Sequence, residues 1–271
     1  MTLRFRNLVT MAAVLALAGC DGDDGTQPEP PFTLEFAGDA SFQGAHGGQT
    51  VRAAVVTSAG EVVAAAEDEV SATADPAFEF VFADVLEAGI SYELHYWIDS
   101  NFGGGAVDVC DPTSMDHQWN VALGMATRDV RIDEVHRPAE TEDVCSTFAA
   151  DLEFRGDATF QGAHGGQTLT AAVARADDGA AVVTKETTVS SSEDPAFELS
   201  FPGALLRGES YELHYWIDSN FGGGTVGICD PPANDHQWNV DLGETPDDED
   251  TVTFADVHRP TETSSVCDTF N

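Results

Sequence analysis

Every histidine in this chain occurs twice, and that duplication constrains the fold more than any other feature. His46, His95, His117 and His136 recur as His164, His214, His236 and His258, at offsets of 118, 119, 119 and 122 residues. The chain is therefore read as two copies of one unit, each of which must form the same structure. Three blocks are identical in both copies: Phe42–Thr50 (FQGAHGGQT), Ser91–Gly105 (SYELHYWIDSNFGGG) and Asp116–Val121 (DHQWNV). A fourth, Val135–Pro138 (VHRP), precedes the last cysteine of the unit. Residues 51–70, by contrast, share little with their counterparts beyond apolar character. Two glycine-rich loops and a long polar crossover are more than a core alone would preserve.

Within a unit the pattern is β. Thr33–Phe42, Thr50–Thr57, Glu61–Val70, Phe78–Phe82, Tyr92–Asp99, His117–Leu123 and Val130–His136 are short segments separated by Gly, Asp, Pro or Ser. The clearest is Tyr92–Asp99, where Tyr92, Leu94, Tyr96 and Ile98 alternate with Glu93, His95, Trp97 and Asp99. That is one apolar face and one mixed face. No segment beyond the leader shows helical periodicity. The expected fold is all-β, with two tandem antiparallel β-sandwich modules of about seven strands each. They span 32–148 and 151–271, long enough for a core apiece. Seven strands in such a length resemble immunoglobulin-like or transthyretin-like sandwiches, a likeness of architecture that implies no function.

Residues 1–20 read as an export leader. Arg4 and Arg6 precede an apolar run from Leu8 to Leu17, too short to span a bilayer. The run ends in Leu17-Ala18-Gly19-Cys20, which resembles the lipobox of bacterial lipoproteins. The resemblance implies cleavage before Cys20, lipidation of that cysteine and a place in the bacterial cell envelope, on the cell surface or facing the periplasm. A cleaved leader with a chance cysteine is the alternative. Asp21–Pro31 (DGDDGTQPEPP) reads as a solvated tether between lipid and fold. An exported chain is oxidised, so the four remaining cysteines are expected to form one disulfide per module, Cys110–Cys145 and Cys229–Cys267. Zinc ligation by these thiolates is the alternative, without the Cys-x-x-Cys spacing that would favour it.

The chain holds 48 acidic and 11 basic residues, a formal net charge of −37. Such a surface repels nucleic acid and anionic lipid, and its soluble partners reduce to a protein, a glycan or a metal ion. A salty habitat explains the same excess, so acidity alone does not indicate metal binding.

Strand direction then locates a site. If consecutive strands run up and down, the first, fifth and seventh all finish at one pole. His46, Asp99, Asn101, Asp111, Asp116, His117 and His136 would gather there, closed by the disulfide. His95 would lie about 13 Å down its strand at about 3.3 Å per residue. Three imidazoles fit a Zn²⁺ or Cu²⁺ site, giving His46, His117 and His136 in one module and His164, His236 and His258 in the other. Loop hydrogen bonding by each histidine is the plainer alternative. Asp99, Asn101 and Asp111, with Asp218, Asn220 and Asp230, offer oxygen ligands for a calcium-ordered loop. The spacing is not that of an EF-hand, because the twelfth position is Cys110 or Cys229 where a glutamate is needed. Without an ion, the Asp and Asn would cap a tight glycine turn. Trp119 reads as core, and Trp97 as packing against the other module or stacking on a sugar.

No nucleophile elbow, His-Glu-x-x-His motif or free catalytic thiol is present. A three-histidine metal hydrolase is the one enzyme reading that stays open, and the chain is expected not to be an enzyme. Three functions follow. One is a membrane-anchored binding lipoprotein that engages a ligand or partner by the loop-rich pole, with calcium ordering the loops. The others are a transition-metal-binding lipoprotein and a structural envelope protein.

Overall fold

The computed structural model describes residues 30–246 and 249–270. The expected leader, the lipobox with Cys20, and residues 21–29 of the tether lie outside the described residues. The first module contains β1 (Phe32–Gly38), β2 (Thr50–Thr57), β3 (Val62–Glu69), β4 (Phe78–Leu86), β5 (Ser91–Ile98), β6 (His117–Met125) and β7 (Val130–Glu134). The second repeats it with β8 (Ala149–Gly156), β9 (Thr168–Arg175), β10 (Ala181–Thr188), β11 (Phe197–Leu206), β12 (Ser210–Ile217), β13 (His236–Glu244) and β14 (Thr251–Asp256). Each module is a sandwich of a three-stranded sheet, β4-β1-β7 or β11-β8-β14, on a four-stranded sheet, β3-β2-β5-β6 or β10-β9-β12-β13. Neighbouring strands are antiparallel except for one pair in each module, β1 with β7 and β8 with β14. That parallel pair follows from the alternation itself, because the first and seventh strands both run upward and the sandwich seats them side by side.

Several strand limits differ from the sequence reading. The first strand stops at Gly38 rather than Phe42, because the Asp39 side chain accepts from the Ser41 backbone N–H at 2.8 Å. The chain then turns through a 3-10 segment, Ala40–Phe42, and one helical turn, Gln43–His46. Asp157 and Thr159 repeat the device at 2.9 Å. The fourth strand continues to Leu86, and the seventh ends at Glu134, leaving His136 in the loop beyond it.

Alternation does the packing. Phe78, Phe80 and Phe82 of β4 point inward while Glu79 and Val81 point out. Tyr92, Leu94, Tyr96 and Ile98 of β5 are all buried, with Tyr96 stacked on Trp119 at 4.8 Å. Trp119 is core, as its alternation with Val121 and Leu123 predicts.

The two modules abut without a linker. A helical turn, Cys145–Phe148, runs directly into β8. Trp97, fully buried, meets Phe148 at 6.2 Å within a cluster that joins Ala54, Val56 and Val144 to Leu206 of the second module. Packing, not sugar stacking, is therefore its role. Arg175 reaches across to Asp108 at 2.6 Å, and Cys110 N–H donates to the Gly203 carbonyl at 3.2 Å. Gly203 has φ +62°, and a Cβ there would stand 2.4 Å from the Cys110 oxygen. Gly203→Ala should therefore destabilise the chain by about 1–3 kcal/mol, seen as a lower midpoint in thermal or urea unfolding.

Candidate metal centre

The polar crossover between β5 and β6 is built around one buried carboxylate. Asp116 accepts backbone N–H groups from Ser100, Asn101 and Asp111 at 2.9–3.0 Å, and Asp235 does the same in the second module. Burial still raises the Asp116 carboxyl to about 6, against the pull of those donors. Gln118, also fully buried, takes the Val144 N–H at 2.8 Å and donates to the Asp111 carbonyl. These bonds hold the crossover against the segment that follows β7, where Cys110–Cys145 and Cys229–Cys267 are the observed disulfides. The thiols are thus spent on each other, which removes them as zinc ligands.

On this frame the three loop histidines of each module meet. His46 arrives from the helical turn after β1, His117 opens β6, and His136 follows β7. His46 Nε2 lies 3.0 Å from both His117 Nδ1 and His136 Nε2, and the last two are 3.1 Å apart. In the second module the corresponding distances are 3.0, 3.0 and 3.2 Å, among His164, His236 and His258. Among the described residues these are the two sets of three such ligand atoms close enough to hold one ion. His46 Nδ1 donates to Gln49 Oε1 at 2.7 Å, which leaves its Nε2 as a bare lone pair turned toward the other two rings. Gln167 fixes His164 identically at 2.6 Å. The backbone N–H of His136 donates to Ser41 Oγ, and that of His258 to Thr159 Oγ1, both at 2.8 Å. Trp119 Nε1–H donates to the Arg137 carbonyl next door at 3.1 Å. The ring of the first histidine and the chain path at the third are thereby fixed in each module.

The surroundings keep the rings neutral. Burial lowers His46 and His164 to about 4, partly opposed by their glutamine partners and reinforced by the neighbouring imidazoles. Burial likewise lowers His117, His136, His236 and His258. Phe42 forms a floor beneath His46 and His136, with ring centroids at 6.3 and 5.3 Å. Phe102 lies against His46 and His117 at 5.7 and 5.0 Å.

The oxygen-rich residues at the same pole do not join the triads. Asp99 accepts the Asp108 N–H at 2.8 Å and the Asn101 side-chain amide, while Asp111 accepts the Ala106 N–H at 2.7 Å. Asp218, Asn220 and Asp230 repeat this pattern. The aspartate oxygens bind the glycine loop's own amides, while Asn101 Oδ1 and Asn220 Oδ1 are buried without a hydrogen-bond partner, and both asparagines adopt left-handed backbone at φ 53° and 52°. His95 stands apart as expected. Its Nε2–H donates to Glu93 at 3.2 Å and its Nδ1 accepts from Thr147 at 2.6 Å, tying the segment after the disulfide to the sheet. His214, Glu212 and Thr269 match it. Sequence reading missed Gln49, Ser41, Phe102 and Gln118. Three of these stand inside the retained blocks, and Ser41, conservatively replaced by Thr159, stands just before one.

No family model and no curated protein matches this chain. Among solved structures, it is similar to the Bacillus anthracis TIE protein at TM-score 0.27 and 10% identity, covering 84% of this chain but 34% of that one. A fimbrial assembly protein from Parabacteroides distasonis gives TM-score 0.27 and 8% identity, over 85% of this chain and 93% of that one. The major pilin protein of Streptococcus pyogenes gives 0.22 and 8%, over 86% and 98%. Likeness of this order carries no function to the present chain, whose site stands on its own residues.

The pH dependence follows from the direction of these shifts. A histidine held below its unfolded value of 6.5 contributes fully above pH 6.5, and that contribution is lost as the pH falls toward about 4. These histidines should accordingly cost metal-free protein up to about 3 kcal/mol per module over that window, opposed in the first module by Asp116, whose raised carboxyl favours the folded state as the pH falls through the same range. Chemical denaturation at a series of pH values in the presence of a chelator measures it, and changing both His46 and His164 to Gln should flatten the profile.

Proposed function

We propose that each module is a zinc-binding unit, with His46, His117 and His136 holding one ion and His164, His236 and His258 holding a second. The chain is then a two-zinc protein of the cell envelope, anchored through the lipid that the Leu17–Cys20 motif implies. The observation that carries this reading is the nitrogen triangle. Three ring nitrogens at mutual distances of 3.0–3.1 Å cannot satisfy one another with protons. Each is either a donor or an acceptor, so any assignment leaves at least one edge with two donors or two lone pairs face to face. A cation bound to all three lone pairs removes the conflict.

The shape of the triangle favours tetrahedral zinc over square-planar copper. A tetrahedral ion with bonds of about 2.0–2.1 Å sets its ligands about 3.3–3.4 Å apart, close to the observed edges. A square-planar Cu²⁺ site would spread three nitrogens to about 2.8, 2.8 and 4 Å, and neither module has such a long edge. Neutral imidazoles are the ligating form zinc requires, and in each module the first of the three has its second nitrogen fixed by a glutamine. The acidic loop oxygens support the site indirectly, by holding the crossover from which His117 emerges.

Purified full-length chain should contain two zinc ions by elemental analysis. His117→Ala should reduce this to one, and His117→Ala with His236→Ala to none. Zinc added to stripped protein should raise the unfolding midpoint, while calcium at the same concentration should not. Two-fold calcium with no zinc would favour instead the oxygen-ligand reading of Asp99, Asn101 and Asp111.

A further inference from the structure

Each triad supplies three ligands, and a tetrahedral ion needs four. Among the described residues no other His, Cys, Asp or Glu brings a ligand atom to either triad. The inward side of the rings is shut. Phe42 and Trp119 are 0% and 1% exposed, and Trp119 lies 5.5 Å from the His117 ring and 6.0 Å from that of His136. Phe160 and Trp238 close the second site in the same way. The outward side is different. His117 and His136 are partly exposed, and Phe102 stands over the rings with 39% of its surface in solvent. Phe221 repeats this at 41%, with ring distances of 5.9 Å to His164 and 5.0 Å to His236. A half-exposed phenylalanine is retained beside each triad in a chain whose surface is otherwise heavily acidic.

We infer that the fourth position of each zinc is an external binding point for a neutral, flat nitrogen ligand of the imidazole class. This rests on the zinc reading above. A structural zinc site is closed by four protein ligands, whereas a site with three keeps its fourth position for water or an incoming ligand. The class of ligand follows from charge and shape. A net charge of −37 opposes the approach of carboxylate, thiolate or other anions, while a neutral nitrogen ligand escapes that penalty. A flat ring entering beside Phe102 or Phe221 gains an aromatic contact that a small anion does not.

The test uses full-length protein loaded with Co²⁺ in place of zinc and titrated with imidazole, and separately with azide, at low ionic strength. Imidazole should shift the visible absorption bands and saturate, binding at least tenfold more tightly than azide. Phe102→Ala with Phe221→Ala should still take up two cobalt ions but bind imidazole several-fold more weakly. Cobalt bound with a spectrum that imidazole leaves unmoved would overturn the open position and leave the metal reading intact. Azide binding as tightly as imidazole would overturn the neutral-ligand assignment, and unchanged imidazole affinity in the double variant would overturn the aromatic rim. Failure to take up cobalt at all would remove the metal reading with it.

Discussion

The parallel pairing of β1 with β7, and of β8 with β14, is the contact on which the rest of each module depends. It delivers the turn after the first strand and the loop after the last to the same pole. There they meet the start of β6 or β13, which belongs to the opposite sheet. The histidines therefore straddle the sandwich: His117 stands on the four-stranded sheet, His136 continues from the three-stranded one, and His46 lies on the connection between them. An ion held by all three would clasp the two sheets where backbone hydrogen bonding ends. The disulfide does related work nearby, joining the crossover to the segment after β7. Floor, ligands and cross-link sit on parts of the chain far apart in sequence, so the site exists only once the sandwich has closed.

The two copies have drifted where the modules meet and held where the histidines meet. Gly203, pressed against Cys110, corresponds to Asp84, and Leu206 at the junction corresponds to Glu87. Val109 is 3% exposed at the junction, while its counterpart Ile228 is 53% exposed. The junction needs one face from each module, and each copy kept only the face it uses. The poles show no such division. Both retain three imidazoles, a glutamine on the first of them, a phenylalanine floor and a phenylalanine rim. Holding the two modules together does not require that symmetry, and a site that works separately in each copy does.

Much of this was legible in the sequence because β alternation is a local property. Tyr92–Asp99 announces its buried face residue by residue, and counting strand reversals places His46, His117 and His136 at one pole. What escaped depended on contacts between distant segments. Asp39 ends the first strand by capping its own turn, a device that reads equally well as a polar residue on a longer strand. Gln49 and Phe102 acquire their roles only when the β1–β2 turn and the β5–β6 crossover come together. The aspartates suggest an oxygen-ligand loop, and in the fold Asp99 and Asp111 also accept the loop's own amides. Trp97 was ambiguous between sugar stacking and packing, since nothing in its own strand says what lies opposite.

The most direct test of the central claim is X-ray absorption at the zinc edge on the purified, zinc-loaded chain. The account predicts a first shell dominated by nitrogen at about 2.0–2.1 Å, with the outer-shell pattern of three imidazoles and no sulfur. A shell of sulfur at about 2.3 Å, or one made of carboxylate and water oxygens without the imidazole pattern, would place the ion elsewhere and contradict it.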